Sequence, residues 1–193
     1  MYKKINNIDF IKNNNGSAII EFPFVILIIM LLIKLLISVT EHQSTIGKLD
    51  RISYSLAGIV RERNRLYSDD KMLTQNNVND LTNLAHNMLS TSGISSNNFA
   101  ITVETLHFNP TESAEPNNKI IDDTKSEKFS VGTCHPITSL REMADLSPYS
   151  NRGRWVPLYQ VTLCLPVPTG YQTLFNPVGS IPILKSSAIT IER

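Results

Sequence analysis

The chain has 193 residues, with 18 Lys+Arg against 17 Asp+Glu, a formal net charge of +1 and 41% hydrophobic residues. That length carries one domain plus an accessory segment and hardly two full domains. A near-neutral balance gives no extended field of one sign, so no nucleic-acid partner is expected.

The leader, residues 1–16, carries Lys3, Lys4 and Lys12 against Asp9 and ends in Asn13-Asn14-Asn15-Gly16, a run that breaks helix. From Ala18 to Val39 the only interruptions of an apolar stretch are Glu21, Pro23, Lys34 and Ser38. At the helical rise this stretch covers about 33 Å, enough to cross a hydrocarbon core of roughly 30 Å, so it reads as a transmembrane helix. Lys34, near its far end, can extend its ammonium toward water. The leader lysines favour a cytoplasmic N-terminus, which sends residues 40–193 across the membrane. A secretory signal has a shorter apolar part, and Ser38-Val39-Thr40 is the one small-x-small candidate for its cleavage. No Cys follows the stretch, so a lipoprotein-type attachment has no thiol to use there.

Glu21 puts a carboxylate one turn into this apolar helix, which is unfavourable unless it stays at the interface or meets a cation. An interfacial acid gains about 0.3–1 kcal/mol from the helix dipole, and that is one reading. In the other, cutting after Gly16 leaves an α-amine on Ser17, and in a stack of parallel helices that amine meets Glu21 of a neighbouring copy. Gly16 gives the bond backbone freedom, and Ser17 can cap the new helix.

Gly16 followed by Ser17-Ala18-Ile19-Ile20-Glu21-Phe22 resembles the processing site of type IV prepilins: a Gly, any four residues, a Glu and an aromatic ahead of an apolar helix. The polar leader, Phe22 and the Glu-Phe-Pro-Phe-Val-Ile-Leu run are similar to the TadE/TadF pseudopilins of tight adherence (Tad/Flp) pilus systems. A chain with about 150 residues beyond its span is more similar to TadF, with TadE the nearby alternative. This strong resemblance covers about residues 12–40. It implies cleavage of Gly16–Ser17 by a prepilin peptidase, recognition and assembly through Glu21 and Phe22, and retention in the inner membrane with a periplasmic C-terminal part. The implied partners are other pilin and pseudopilin subunits and the Tad inner-membrane assembly machinery, and the implied role is that of a minor pilin in pilus assembly or initiation. Pro23 departs from the pattern; near a helix start its missing N–H is expected to matter little while tilting the first turn.

Beyond the span, Ile46, Leu49, Ile52, Leu56, Ile59, Val60 and Leu66 recur at helical steps without an intervening Pro, so the helix is expected to continue through residues 40–67. Arg51, Arg61, Glu62, Arg63 and Arg65 are expected on its solvated face. The apolar stripe packs either on the C-terminal domain of the same chain or on equivalent helices of other subunits. Ser68-Asp69-Asp70 is expected to end this helix, and Val78, Leu81, Leu84, Ala85 and Met88 mark a second one over Asn77 to Leu89, with Gly93 after it.

From Phe99 the period becomes two, as in a strand with one covered face. Further strands are expected at Lys128 to Cys134, Trp155 to Leu165 and Ala188 to Glu192. Asn109 to Ser126 reads as an exposed loop, and Pro166, Pro168, Pro177 and Pro182 mark an irregular connection. The architecture is therefore α+β and pilin-like: a leader at 1–16, a transmembrane helix at 17–39, its continuation at 40–67, and an extracytoplasmic domain at 68–193 built of a helix on a small, mainly antiparallel sheet.

Cys134 and Cys164 both fall in the exported part, where an oxidising compartment favours a disulfide between them over two buried thiols. His42, His86, His107 and His135 are scattered, and neither C-x-x-C nor H-E-x-x-H occurs, so no metal site or cofactor is expected. His135, beside Cys134, is read as a surface residue. No nucleotide-binding or esterase motif is present. Asp122-Asp123 and the pair Glu142 and Asp145 read as solvated turns, and Trp155, with Tyr149, Tyr159 and Tyr171 nearby, as a strand anchor and not an adhesive surface. Assembly is the expected work and catalysis is not; the rival is a single-pass anchor with an uncleaved N-terminus carrying a periplasmic binding or sensor domain.

Overall fold

The computed structural model describes residues 15–66, 72–95, 97–168, 170–172 and 182–192. The expected helix stop at Ser68-Asp69-Asp70, most of the leader and the Pro177 stretch lie outside these residues. Two compact units make up the chain, Met1–Glu41 and His42–Arg193. One element, helix α1 (Asn15–Leu66), begins in the first and ends in the second. Its N-terminal part is rich in β-branched Ile and Val, which are indifferent helix formers. In hydrocarbon they form helix all the same, because that conformation satisfies every backbone amide within the segment.

In the second unit the helix turns a stripe of Leu49, Ile52, Leu56, Ala57 and Val60 into the core, with three- and four-residue steps. Helix α2 (Gln75–Thr91) packs beside it through Val78, Leu81, Ala85 and Leu89. Its start is fixed by a capping box, in which Thr74 Oγ1 accepts from the Asn77 amide at 3.4 Å and the Thr74 amide donates to Asn77 Oδ1 at 3.0 Å. Leu84, expected on the covered face, is exposed.

Four strands, β1 (Ala100–Leu106), β2 (Lys128–Val131), β5 (Leu158–Pro166) and β6 (Ile183–Ile191), form an antiparallel sheet in the order β2-β1-β5-β6. The pairings Ile101 with Leu163 and Val103 with Val161 set one apolar face against the two helices. A separate two-stranded ribbon joins β3 (Tyr149–Ser150) to β4 (Arg154–Trp155).

Three strand boundaries differ from expectation, each with a local cause. Strand β2 ends at Val131 because Gly132 turns at φ +78, where an added Cβ would meet the Ala100 Cβ at 2.8 Å. The expected Trp155–Leu165 strand divides at Pro157, which has no N–H for a ladder. The last strand starts five residues early, at Ile183. A bridge ties Ile121 of the Asn109–Ser126 segment to Phe108, and Asp122 is buried, so the segment is not a simple exposed loop.

The second face of the sheet corrects the expectation of a single covered side, since every residue of β1 is buried. A strap over residues 132–147 covers that face, and its irregular backbone finds partners among side chains that the strands present. Thr102 Oγ1 donates to the Cys134 carbonyl at 2.8 Å, the Leu140 amide to Glu104 Oε2 at 2.9 Å, and Gln160 Nε2 to the Thr138 carbonyl at 3.3 Å. Lys128 Nζ lies 3.0 Å from the other Glu104 oxygen, so this buried carboxylate is paired as well as hydrogen-bonded.

A Cys134–Cys164 disulfide, with a Cα–Cα distance of 5.6 Å, ties the strap to β5. Closing a loop with a sequence separation of 30 constrains the unfolded chain. Replacing both cysteines by Ser is expected to lower stability by about 3 kcal/mol. Trp155, the single tryptophan, reports this as an earlier urea midpoint of full-length protein in detergent. An unchanged midpoint would show that the polar contacts of the strap suffice without the bond.

Candidate functional site

From Glu21 to Ile37 every residue of α1 is exposed. The set includes Phe22 at 68% and Phe24, Met30, Leu36 and Ile37 at more than 60%. An apolar surface reaching round a whole helix lacks the polar face of a helix lying on a soluble core. Glu21 and Lys34 are its only charges. Among the described residues, one helix is long and apolar enough to cross a membrane, and this is it.

The first turns differ from the expected geometry at two points. Gly16 and Ser17 lie within the described helix, Asn15–Leu66, and not ahead of it. Pro23 consequently lies inside the helix, past the first turn, and has no amide hydrogen to give the carbonyl of Ile19. That makes it a larger perturbation than a proline at a helix start, and a point at which the helix can bend.

In the second unit the candidate residues do not converge. Arg63, expected on the solvated face, is only 5% exposed, because it falls on the same stripe as Leu56 and Val60. With Ile59, Leu73 and Asp80 it lines a cavity of about 150 Å³ beside α2. Arg61 pairs with the adjacent Glu62 at 3.1 Å, and Arg51 is exposed. Asp122 accepts from the Thr124 amide at 3.1 Å and from its hydroxyl at 2.5 Å, a side-chain-capped turn and not a solvated one. Asp123 pairs with Arg141 at the surface, and Glu142, Asp145 and His135 are exposed. No group of three or more His, Cys, Asp or Glu able to hold a metal ion occurs among the described residues.

The aromatic residues are likewise distributed. Trp155 is buried, with its ring 5.2 Å from Tyr149 and the Lys119 ammonium 4.4 Å from its centroid. Lys119 also donates to the Ser147 carbonyl at 2.9 Å, and Tyr149 to the Thr111 carbonyl at 3.1 Å, so this cluster clamps the 109–121 segment onto the ribbon. Burial lowers the Lys119 pKa there. Tyr159 is buried under His107, and Tyr171 stacks on His42 at 4.1 Å. The sequence carried no signal for Lys119; Glu104 had one, as the single acid in an otherwise apolar and Thr-rich strand.

A helix apolar on all sides, leading into a small disulfide-tied α+β unit, defines the class of pilin-like, membrane-anchored proteins. The TadF family model, described as "Putative tight adherence pilin protein F", matches residues 9–193, nearly the whole chain. The chain belongs to this family of tight adherence pilus proteins, which implies a structural role, association with other pilus subunits and a membrane anchor at the N-terminal helix. Searches of curated proteins and of solved structures gave no match.

One half-buried group gives the second unit a pH dependence. His107 meets the Tyr159 ring edge-on at 6.0 Å. Burial lowers its pKa, Lys125 and Arg63 act in the same sense, and Glu192 and Asp122 oppose them. Burial also pushes the Tyr159 phenol up to about 12, so its ring stays neutral. With the folded-state pKa of His107 below its ordinary value, the unfolded chain binds more protons, and stability falls as pH drops through about 6.5 and below. Asp122 adds a second loss, as pH falls below about 4, because its contacts with Thr124 and Lys125 hold its carboxyl below the usual range. The urea midpoint should therefore decline between about pH 7.5 and 5, and His107→Gln should flatten that decline. A variant keeping the full slope would assign it to another group.

Proposed function

We propose that this chain is a minor pilin, cut after Gly16 by a prepilin peptidase, that takes part in assembly or initiation of a tight adherence pilus. The observation that carries the reading is the exposed apolar surface of residues 21–37, which Glu21 and Phe22 introduce at prepilin spacing from Gly16. A surface of this kind is stable in lipid and equally stable among like helices, so it can pass from one to the other. The N-terminus lies in the cytoplasm and the second unit in the periplasm, following the leader lysines.

Cleavage requires the Gly16–Ser17 peptide to be extended. Gly16, with no Cβ, lowers the cost of unwinding the helix at this bond. The new α-amine on Ser17 is a cation at the lipid edge, and it neutralises Glu21 of a neighbouring subunit when the helices stack.

Intact-mass measurement on protein from cells with active peptidase tests this directly: the expected chain is residues 17–193. Gly16→Trp should leave the leader attached. Recovery of full-length protein from such cells, or of a normally shortened Gly16→Trp variant, would overturn the assignment.

A further inference from the structure

Strand β6 is an edge of the four-stranded sheet, and its nine residues keep an unbroken register with β5. That register fixes where each peptide group points. The Val167 amide donates to the Pro182 carbonyl and the Glu192 amide to the Pro157 carbonyl, both at 3.0 Å, so the even-numbered residues of β6 turn their main chain toward β5. Ile183, Lys185, Ser187, Ile189 and Ile191 therefore turn theirs away from the sheet. Among the described residues none bonds to these outward amides and carbonyls.

The opposite edge is short and partly capped. Strand β2 has four residues, and its Ser130 carbonyl accepts from Gln75 Nε2 of α2 at 3.4 Å. Open edges in folded proteins are usually blunted by a bulge, a Pro, several charges or brevity. Strand β6 has no bulge and no Pro, and Lys185 is its single charge. Ile189 packs against the cluster of Leu106, Leu140 and Leu158, while Ile183 and Ile191 are 50% and 44% exposed at the two ends of the strand.

We propose that β6 is a docking edge, to which another subunit of the pilus adds an extended segment as a further strand of the sheet. The main chain names this class of occupant, because a second extended backbone is what offers donors and acceptors at the two-residue spacing of the outward groups. The side chains narrow it: such a segment places apolar residues beside Ile183, Ile189 and Ile191 and an acid beside Lys185. A second copy of β6 fits poorly. The Ser53 and Ser186 hydroxyls bond at 2.8 Å and Thr190 Oγ1 donates to the Ala57 carbonyl at 3.4 Å, so α1 and β6 advance in the same sense. Two β6 strands paired antiparallel would point their α1 helices in opposite directions, although both chains are anchored at the N-terminal end of that helix. Paired parallel and in register, they would bring the two Lys185 ammonium groups together. The inference uses the family's association with other pilus subunits and stands apart from the cut at Gly16.

Photo-cross-linking of the full chain in membranes of pilus-producing cells tests this. Ile183, Ser187 and Ile191 are replaced, one at a time, by benzoylphenylalanine, and the linked peptides are identified by mass spectrometry. The three products are expected within one stretch of about nine residues in one other pilus subunit, in sequence order running either way. Lys185→Pro removes an outward amide and leaves the bonds to β5 in place, so it should cut all three yields about tenfold with little change in the urea midpoint. Lys185→Glu, which leaves the main chain intact, should cut them about fivefold.

Products scattered over several proteins, products with a second copy of this chain, yields indifferent to Lys185→Glu, or no product at all would each overturn the proposal. The N-terminal residue, read by mass from the same membranes, separates the two readings. Chains beginning at Ser17 without ordered products sink the docking edge alone, and ordered products on uncut chains sink the processing alone.

Discussion

The constraint on which the rest depends is that residues 21–37 present apolar surface on every side and none of the described residues buries them. Such a helix cannot remain in water. Lipid and other helices are its two possible surroundings, and the hydrophobic effect does not discriminate between them, because the side chains are removed from water in both. Packing, polar groups and lipid entropy decide the balance.

The second unit solves an ordinary small-domain problem with different means. Its helices cover one face of a four-stranded sheet in the usual way, leaving the other face to a strap with little regular structure. Irregular backbone has amides and carbonyls without ladder partners, and burying it would be unfavourable unless the strands offered side-chain donors and acceptors. Thr102, Glu104 and Gln160 supply them, and the Cys134–Cys164 bond limits the freedom of the strap in the unfolded chain. These polar residues are buried because of what covers them.

That explains which parts of the fold were legible in the sequence. Features set by local periodicity were readable: the uniform apolar run, the Leu49-Ile52-Leu56-Val60 stripe, the amphipathic face of α2 and the alternation of β1. Features set by what lies across a face were not. Thr102 and Glu104 look like solvent-facing positions of a half-covered strand, and nothing in their spacing announces a strap more than 30 residues downstream. Arg63 was misplaced for a different reason: its chemistry suggested solvent while its position, three residues after Val60, followed the buried stripe, and position won. Pro157 could have been read as the break between β4 and β5, since a ladder residue must donate an N–H. The prepilin-like signature was legible because it is a contiguous run of residue types, whereas the helical state of Gly16 and Ser17 was not, because it depends on where the helix nucleates.

A surface of leucine, isoleucine and phenylalanine carries affinity without register. Sliding two such helices past one another exchanges one apolar contact for a similar one, so the packing free energy varies little with offset. Register has to come from the exceptions. In this span they are few: Glu21 at the border, Pro23 in the early turns, Lys34 and, at the far end, Ser38. A charge pair in hydrocarbon changes by several kcal/mol between matched and mismatched positions, far more than the variation among aliphatic contacts. A pair of charges can therefore dominate the alignment of a whole apolar helix, and the poverty of polar residues in the span is what gives each one its weight. The same contrast runs along α1, where the segment at 21–37 is nearly featureless and the segment from Leu49 to Val60 is locked into a core.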